Sequence, residues 1–146
     1  MTPSPVAMPE SALPAEAPAR KRILVMDDEA SILELTYRML SSHGFEVVKS
    51  ACGEIAVKLY HEAMDAGNPF AAVILDLTVP EGISGFETYE AIKSFDPGVK
   101  AILSSGYSHE PVVLNYRQYG IAGVAPKPYK VKELVSTVQG VVDGTI

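Results

Sequence analysis

The 146 residues contain a single cysteine, Cys52. An intrachain disulfide is therefore impossible and a cysteine-rich metal centre is excluded, which fits a reducing compartment. Cys52 has no neighbouring base to make it a nucleophile and is read as a small residue near a helix start. Clustered positive charge is also lacking: the net charge is −6, and Arg20, Lys21 and Arg22 form the one basic run. Nucleic-acid affinity rests on clusters of Lys and Arg that displace counterions, so no nucleic-acid partner is expected. No apolar stretch approaches the roughly 18 residues of a membrane span, and the N-terminus lacks the basic-then-apolar order of a signal peptide. Direct membrane insertion is not expected, and the expected location is cytoplasmic. The histidines His43, His61 and His109 share no spacing that suggests a metal site.

Residues 1–20 place Pro3, Pro5, Pro9, Pro14 and Pro18 among Ala, Ser and Glu. Such a composition cannot build a core and favours extended chain, so this segment is expected to be a disordered leader or linker. From Ile23 onward the pattern changes to short apolar runs separated by helix-length amphipathic segments, the alternation of a parallel sheet covered on both faces. Residues 21–146 form one expected domain, a length that allows no second core of ordinary size. The pattern predicts strands at 22–26, 45–50, 71–75, 100–104 and 123–125. It predicts helices at 31–43, 54–66, 85–95, 111–119 and 131–142. The first helix carries Ile32, Leu33, Leu35, Tyr37, Met39 and Leu40 as a wide apolar face, with Gly44 as its C-cap. The second is read through Ile55, Leu59 and Ala63. Five βα units with right-handed crossovers give a (βα)₅ α/β fold.

In an open doubly wound sheet the functional crevice lies beyond the carboxyl ends of the strands. The first strand runs into Asp27, Asp28 and Glu29, and the third into Asp76. With the sheet in the order 2-1-3-4-5, the strands carrying these carboxylates are central neighbours. Carboxylates brought this close repel one another unless a cation sits among them, and hard oxygen donors with room for water suit Mg²⁺. The fourth strand ends in Ser104 and Ser105, and the fifth leads into Lys127. A hydroxyl and an ammonium aimed at the same crevice could bind phosphoryl oxygens.

The segments ILVMDDE at 23–29, VILDLTVPEGISG at 73–85, ILSSGY at 102–107 and PKP at 126–128 together resemble the receiver domain of two-component response regulators. The resemblance covers nearly all of the chain outside the leader and implies a flavodoxin-like, doubly wound, five-stranded parallel sheet. It also implies that Asp76 is the phosphoacceptor, taking a phosphoryl group from a histidine kinase or a histidine phosphotransfer protein. Asp28 and the backbone carbonyl of Thr78 would hold Mg²⁺ together with Asp76, and Asp27 would act on the metal through a water. Lys127 would pair with Asp76 at rest and with the phosphoryl group after transfer, and the Lys127–Pro128 peptide would be cis. Ser105, by its interval from Lys127 and the small Gly106 that follows it, would be the switch hydroxyl rather than Ser104. Homodimerisation on phosphorylation is a further implication.

Two departures bear on mechanism. The loop after Asp76 has Val79 and, against the common receiver pattern, one extra residue between Pro80 and Gly85, which resembles receivers of hybrid sensor histidine kinases. The chain is thus expected to be a stand-alone receiver or the C-terminal receiver of such a kinase. Val124 stands where many receivers carry an inward-turning aromatic, so coupling through an aromatic there is in doubt; Tyr107 and Tyr129 are weighed as substitutes, with surface positions the more ordinary reading. A Mg²⁺-dependent phosphatase with an aspartate nucleophile is the main alternative. It would want a second acid two residues after Asp76, where Thr78 stands. A receiver-like scaffold that binds partners without phosphorylation is the other.

Overall fold

The computed structural model describes residues 20–78, 82–106 and 110–144. Residues 1–19 of the expected leader and Val79, Pro80, Tyr107 and His109 lie outside the described residues. Five parallel strands form one sheet in the order β2-β1-β3-β4-β5: β1 is Arg22–Met26, β2 Glu46–Ser50, β3 Ala72–Asp76, β4 Ala101–Ser105 and β5 Gly123–Pro126. β3 and β4 are buried along their whole length, as central strands covered on both faces must be. The outer strand β2 instead exposes Glu46 and Lys49, charges that discourage pairing with another edge.

Side chains alternate across the sheet and build two apolar layers. Leu24, Met26, Val73, Leu75, Ala101 and Leu103 face α2 (Gly53–Asp65) and α3 (Gly85–Lys93). Ile23, Val25, Ala72, Ile74, Ile102 and Ala125 face α1 (Ala30–Ser41) and α5 (Val131–Asp143). Each fully buried Val, Leu, Ile or Met side chain in these layers contributes roughly 1.5–3 kcal/mol relative to exposure.

Several sequence expectations change. The helix at 111–119 is broken: α4 is only Pro111–Leu114, and a separate 3₁₀ turn covers Tyr116–Tyr119. Asn115 interrupts it, with its backbone N–H and side-chain Nδ2 both donating to the Pro111 carbonyl, a local competition typical of Asn. In α1, Leu35 and Tyr37 lie largely exposed; the buried stripe is Leu33, Thr36 and Leu40, with the Thr36 hydroxyl satisfied by the Ile32 carbonyl at 2.7 Å. In α2 Ala63 is buried as expected, but its buried neighbours are Ala56 and Tyr60, while Ile55 is exposed. Small residues set that helix close to its neighbours, and their phase overrides the larger apolar side chains. Gly44 takes a positive φ, but it lies two residues past the C-cap, which is Ser42 rather than Gly44.

Candidate functional site

β1 and β3 are paired with Met26 opposite Leu75, so the residues leaving their carboxyl ends are brought side by side. Asp27 and Asp76 are buried and Asp28 is exposed; one carboxylate oxygen from each lies within 4.8 Å of the others. Local structure fixes both strand ends. Asp27 Oδ1 accepts the backbone N–H of Glu29 at 2.9 Å, just before α1 begins. Beyond β3, α3 is started by a reciprocal cap, in which Ser84 Oγ accepts the Glu87 N–H and Glu87 Oε1 accepts the Ser84 N–H. Gly85 then packs directly on β3: a Cβ there would sit 2.3 Å from the Asp76 carbonyl oxygen.

Lys127 follows β5, its backbone N–H donating to the Ser105 carbonyl at 3.0 Å. Its ammonium lies 2.7 Å from Asp27 Oδ2 and 3.4 Å from Asp76 Oδ1. The expected pairing with Asp76 is therefore shared, and the shorter contact goes to Asp27, the more deeply buried of the two carboxylates. Burial opposes the charge on Lys127, but Asp27 and Asp76 more than offset it and hold the lysine protonated, above its ordinary range. One ammonium cannot neutralise three carboxylates. Burial, and next the charge of Asp27, push Asp76 up to about 6, against the opposing pull of Lys127 and the Thr78 N–H.

The cluster opens into a cleft of about 420 Å³ lined by Asp28, Glu29, Asp76, Thr78, Gly106 and Lys127. Asp27 Oδ2 is buried against the Lys127 ammonium, which it shares with Asp76. A buried carboxylate oxygen beside two more carboxylates and open space for water is a donor set that fits a hard divalent cation such as Mg²⁺. The structure thus brings Asp27, Asp28, Asp76, Thr78 and Lys127 together as the sequence suggested. Ser105 is buried at the end of β4, outside the cleft lining. The Lys127–Pro128 peptide is cis.

One further pair of polar side chains adjoins the site. Ser104 is opposite Asp76 in the sheet register, and its hydroxyl is hydrogen-bonded to that of Tyr129 at 2.5 Å. Tyr129 is half-buried rather than a plain surface residue: its ring packs against the apolar layer beneath α1 and α5. Period-2 alternation put Ser104 on the same face as Ile102, and Tyr129 is two residues from Lys127, but nothing local signals that the two hydroxyls meet.

The model of the response regulator receiver domain family matches residues 23–139, most of the chain. The chain belongs to this family. Among individual proteins, this receiver domain is 28% identical over 117 residues to the sensor kinase CckA of Brucella abortus, a match covering 80% of this chain and 12% of that kinase. It is 27% identical over 122 residues to the chemotaxis protein CheY of Thermotoga maritima, covering 83% of this chain and 97% of CheY. Among solved structures, a chain of the CheX-CheY-BeF3-Mg+2 complex from Borrelia burgdorferi superposes with a TM-score of 0.75 at 25% identity, over 83% of this chain and 88% of that one. The doubly wound order 2-1-3-4-5 is that of the flavodoxin-like receiver fold. Among the described residues no helix is long and apolar enough to cross a membrane.

Proposed function

We propose that this receiver domain accepts a phosphoryl group on Asp76 from a phosphohistidine of a histidine kinase or a histidine phosphotransfer protein, and changes conformation in response. The observation that carries the reading is the cluster of Asp27, Asp28 and Asp76 with Lys127 in one open cleft at the carboxyl edge of the sheet. Mg²⁺ would be held by Asp28, Asp76 and the Thr78 carbonyl, with Asp27 acting through a water; when bound, it neutralises phosphoryl oxygens and the clustered carboxylates. The Borrelia complex, crystallised with BeF3 and Mg+2, supports that assignment by similarity.

The remaining steps use this chain's own residues. Asp76, as carboxylate, attacks phosphorus in line; an Oδ–P bond forms as the N–P bond breaks, and the departing imidazole keeps the electron pair and takes a proton from solvent. The Lys127 ammonium, already 3.4 Å from Asp76 Oδ1, moves its contact from Asp27 toward the new phosphoryl oxygens. Ser105, at the end of β4, supplies the switch hydroxyl that is drawn to the same oxygens and shifts the balance between two arrangements. With Val124 in β5 opposite Leu103, no aromatic follows it at that position. The match to CckA supports a place within a larger sensor kinase, and the match along nearly all of CheY supports a stand-alone receiver.

Incubated with Mg²⁺ and acetyl phosphate, the protein should gain one acid-stable, base-labile phosphate, and Asp76→Asn should abolish it. Undiminished labelling of that variant would sink the assignment.

A further inference from the structure

Ser104 and Tyr129 take no part in the chemistry above, yet they join its two sides. Ser104 is buried in β4, between Asp76 in β3 and Ala125 in β5. Tyr129 lies two residues beyond Lys127, and the Lys127 charge acts on the Tyr129 hydroxyl. A hydroxyl–hydroxyl bond here offsets a cost: Ser104 is buried and Tyr129 half-buried against an apolar layer, where a polar group needs a partner.

Its mechanical effect follows from the chain path. Among the described residues, the last strand-like tie beyond β5 is the Lys127 N–H to the Ser105 carbonyl. α5 begins only at Val131. Residues 127–130 are thus a short bridge, and the lysine they carry is long and rotatable, with much side-chain entropy to lose. The Tyr129 ring, packed on the α1/α5 layer and bonded to Ser104, fixes the far side of that bridge to the strand adjoining Asp76.

We propose that the Ser104–Tyr129 hydroxyl pair is a positioning element for phosphoryl transfer: it holds the 127–130 bridge so that the Lys127 ammonium stays over the cleft within reach of both Asp27 and Asp76. The proposal rests on Asp76 being the phosphoacceptor. Ser104 and Tyr129 touch no reacting atom; they act through Lys127. Ser105, the neighbouring serine, acts on the phosphoryl group itself, so the two consecutive serines at the end of β4 divide the labour, one orienting the cation and the other sensing the product.

The test compares the whole chain with Tyr129→Phe, Ser104→Ala, Ser104→Thr and the Tyr129→Phe/Ser104→Ala double variant, using acetyl phosphate as donor. The maximal rate of Asp76 labelling should fall about tenfold in Tyr129→Phe and in Ser104→Ala, since small displacements of a positioned group carry large rate penalties. The half-saturating Mg²⁺ concentration should stay unchanged. The double variant should be no slower than the slower single one, because the pair acts as a unit. Ser104→Thr, which keeps the hydroxyl, should recover most of the rate. A packing role alone would lower the unfolding midpoint and leave the rate per folded molecule unaffected, so rates within twofold of the unsubstituted protein overturn the proposal. If Ser104→Ala does not fold, Tyr129→Phe decides it, since the ring is retained. Should the unsubstituted protein take no label, the Asp76 reading fails. The positioning claim is then decided by the side-chain NMR signal of Lys127 in metal-free protein: it must move in Tyr129→Phe, and an unmoved signal overturns the claim.

Discussion

Replacing Asp76 by Asn should make the metal-free protein more stable at neutral pH, although it removes the group on which the proposed function depends. Asp76 is raised from its ordinary 3.8 to about 6 by burial and by Asp27. Between those two values the folded state holds a proton that the unfolded chain has released, so stability falls as pH rises through this window. Below 3.8 the side chain is protonated in both states and costs nothing; above about 6 the full penalty is present. Each tenfold change in proton affinity is worth about 1.4 kcal/mol, which bounds the penalty at about 3 kcal/mol. The cleft is open to water on one side, and screening reduces the expected gain to about 1–2 kcal/mol. Urea unfolding in EDTA would measure it, with the two proteins compared at pH 7.5 and at pH 4. The Asn variant should show the higher midpoint at pH 7.5, with the gap shrinking toward pH 4. Millimolar Mg²⁺ at pH 7.5 should raise the midpoint of the unsubstituted protein more than that of the variant, reversing part of the difference. A variant that is equally or less stable at pH 7.5 in EDTA, or a gap that widens on acidification, would refute the reasoning that like charge and burial dominate this cleft.

Lys127→Ala should cost about 2–3 kcal/mol in EDTA, because it leaves the buried Asp27 carboxylate without its cation; the loss should diminish in Mg²⁺, as read by the unfolding midpoint. Gly85→Ala should destabilise by about 2–3 kcal/mol and slow labelling from acetyl phosphate, since its Cβ would meet the Asp76 carbonyl at 2.3 Å and displace the end of β3 or the start of α3. Tyr60→Phe should cost about 1 kcal/mol in urea unfolding by removing the hydroxyl that donates to Asp96, with labelling unchanged because the pair lies away from the cleft.

Much of the site was legible because chemistry at a strand's carboxyl end sits next to a strong apolar signal. ILVM, AVIL and AIL mark β1, β3 and β4 as central strands, and the polar residues that follow them are then bound to meet at one edge of the sheet. Helix phase was less legible. Ile55 looks like a core residue and is exposed, whereas Ala56 and Ala63 bury; how close a helix lies to the sheet decides which side of it faces inward. The break at Asn115 was missed because two valines and two tyrosines continued the apolar pattern through it.

The sequence alone determined the strands, the parallel doubly wound class, and the convergence of Asp27, Asp28, Asp76 and Lys127, because strand length, crossover handedness and alternation leave little freedom in where strand ends fall. The tertiary structure decided which partner each group takes. Lys127 lies closer to Asp27 than to Asp76, and the Tyr129 hydroxyl reaches Ser104. Those contacts join separate elements over distances of about 3 Å, set by how α5 and the bridge before it dock on the sheet, and no local pattern of residues encodes that docking.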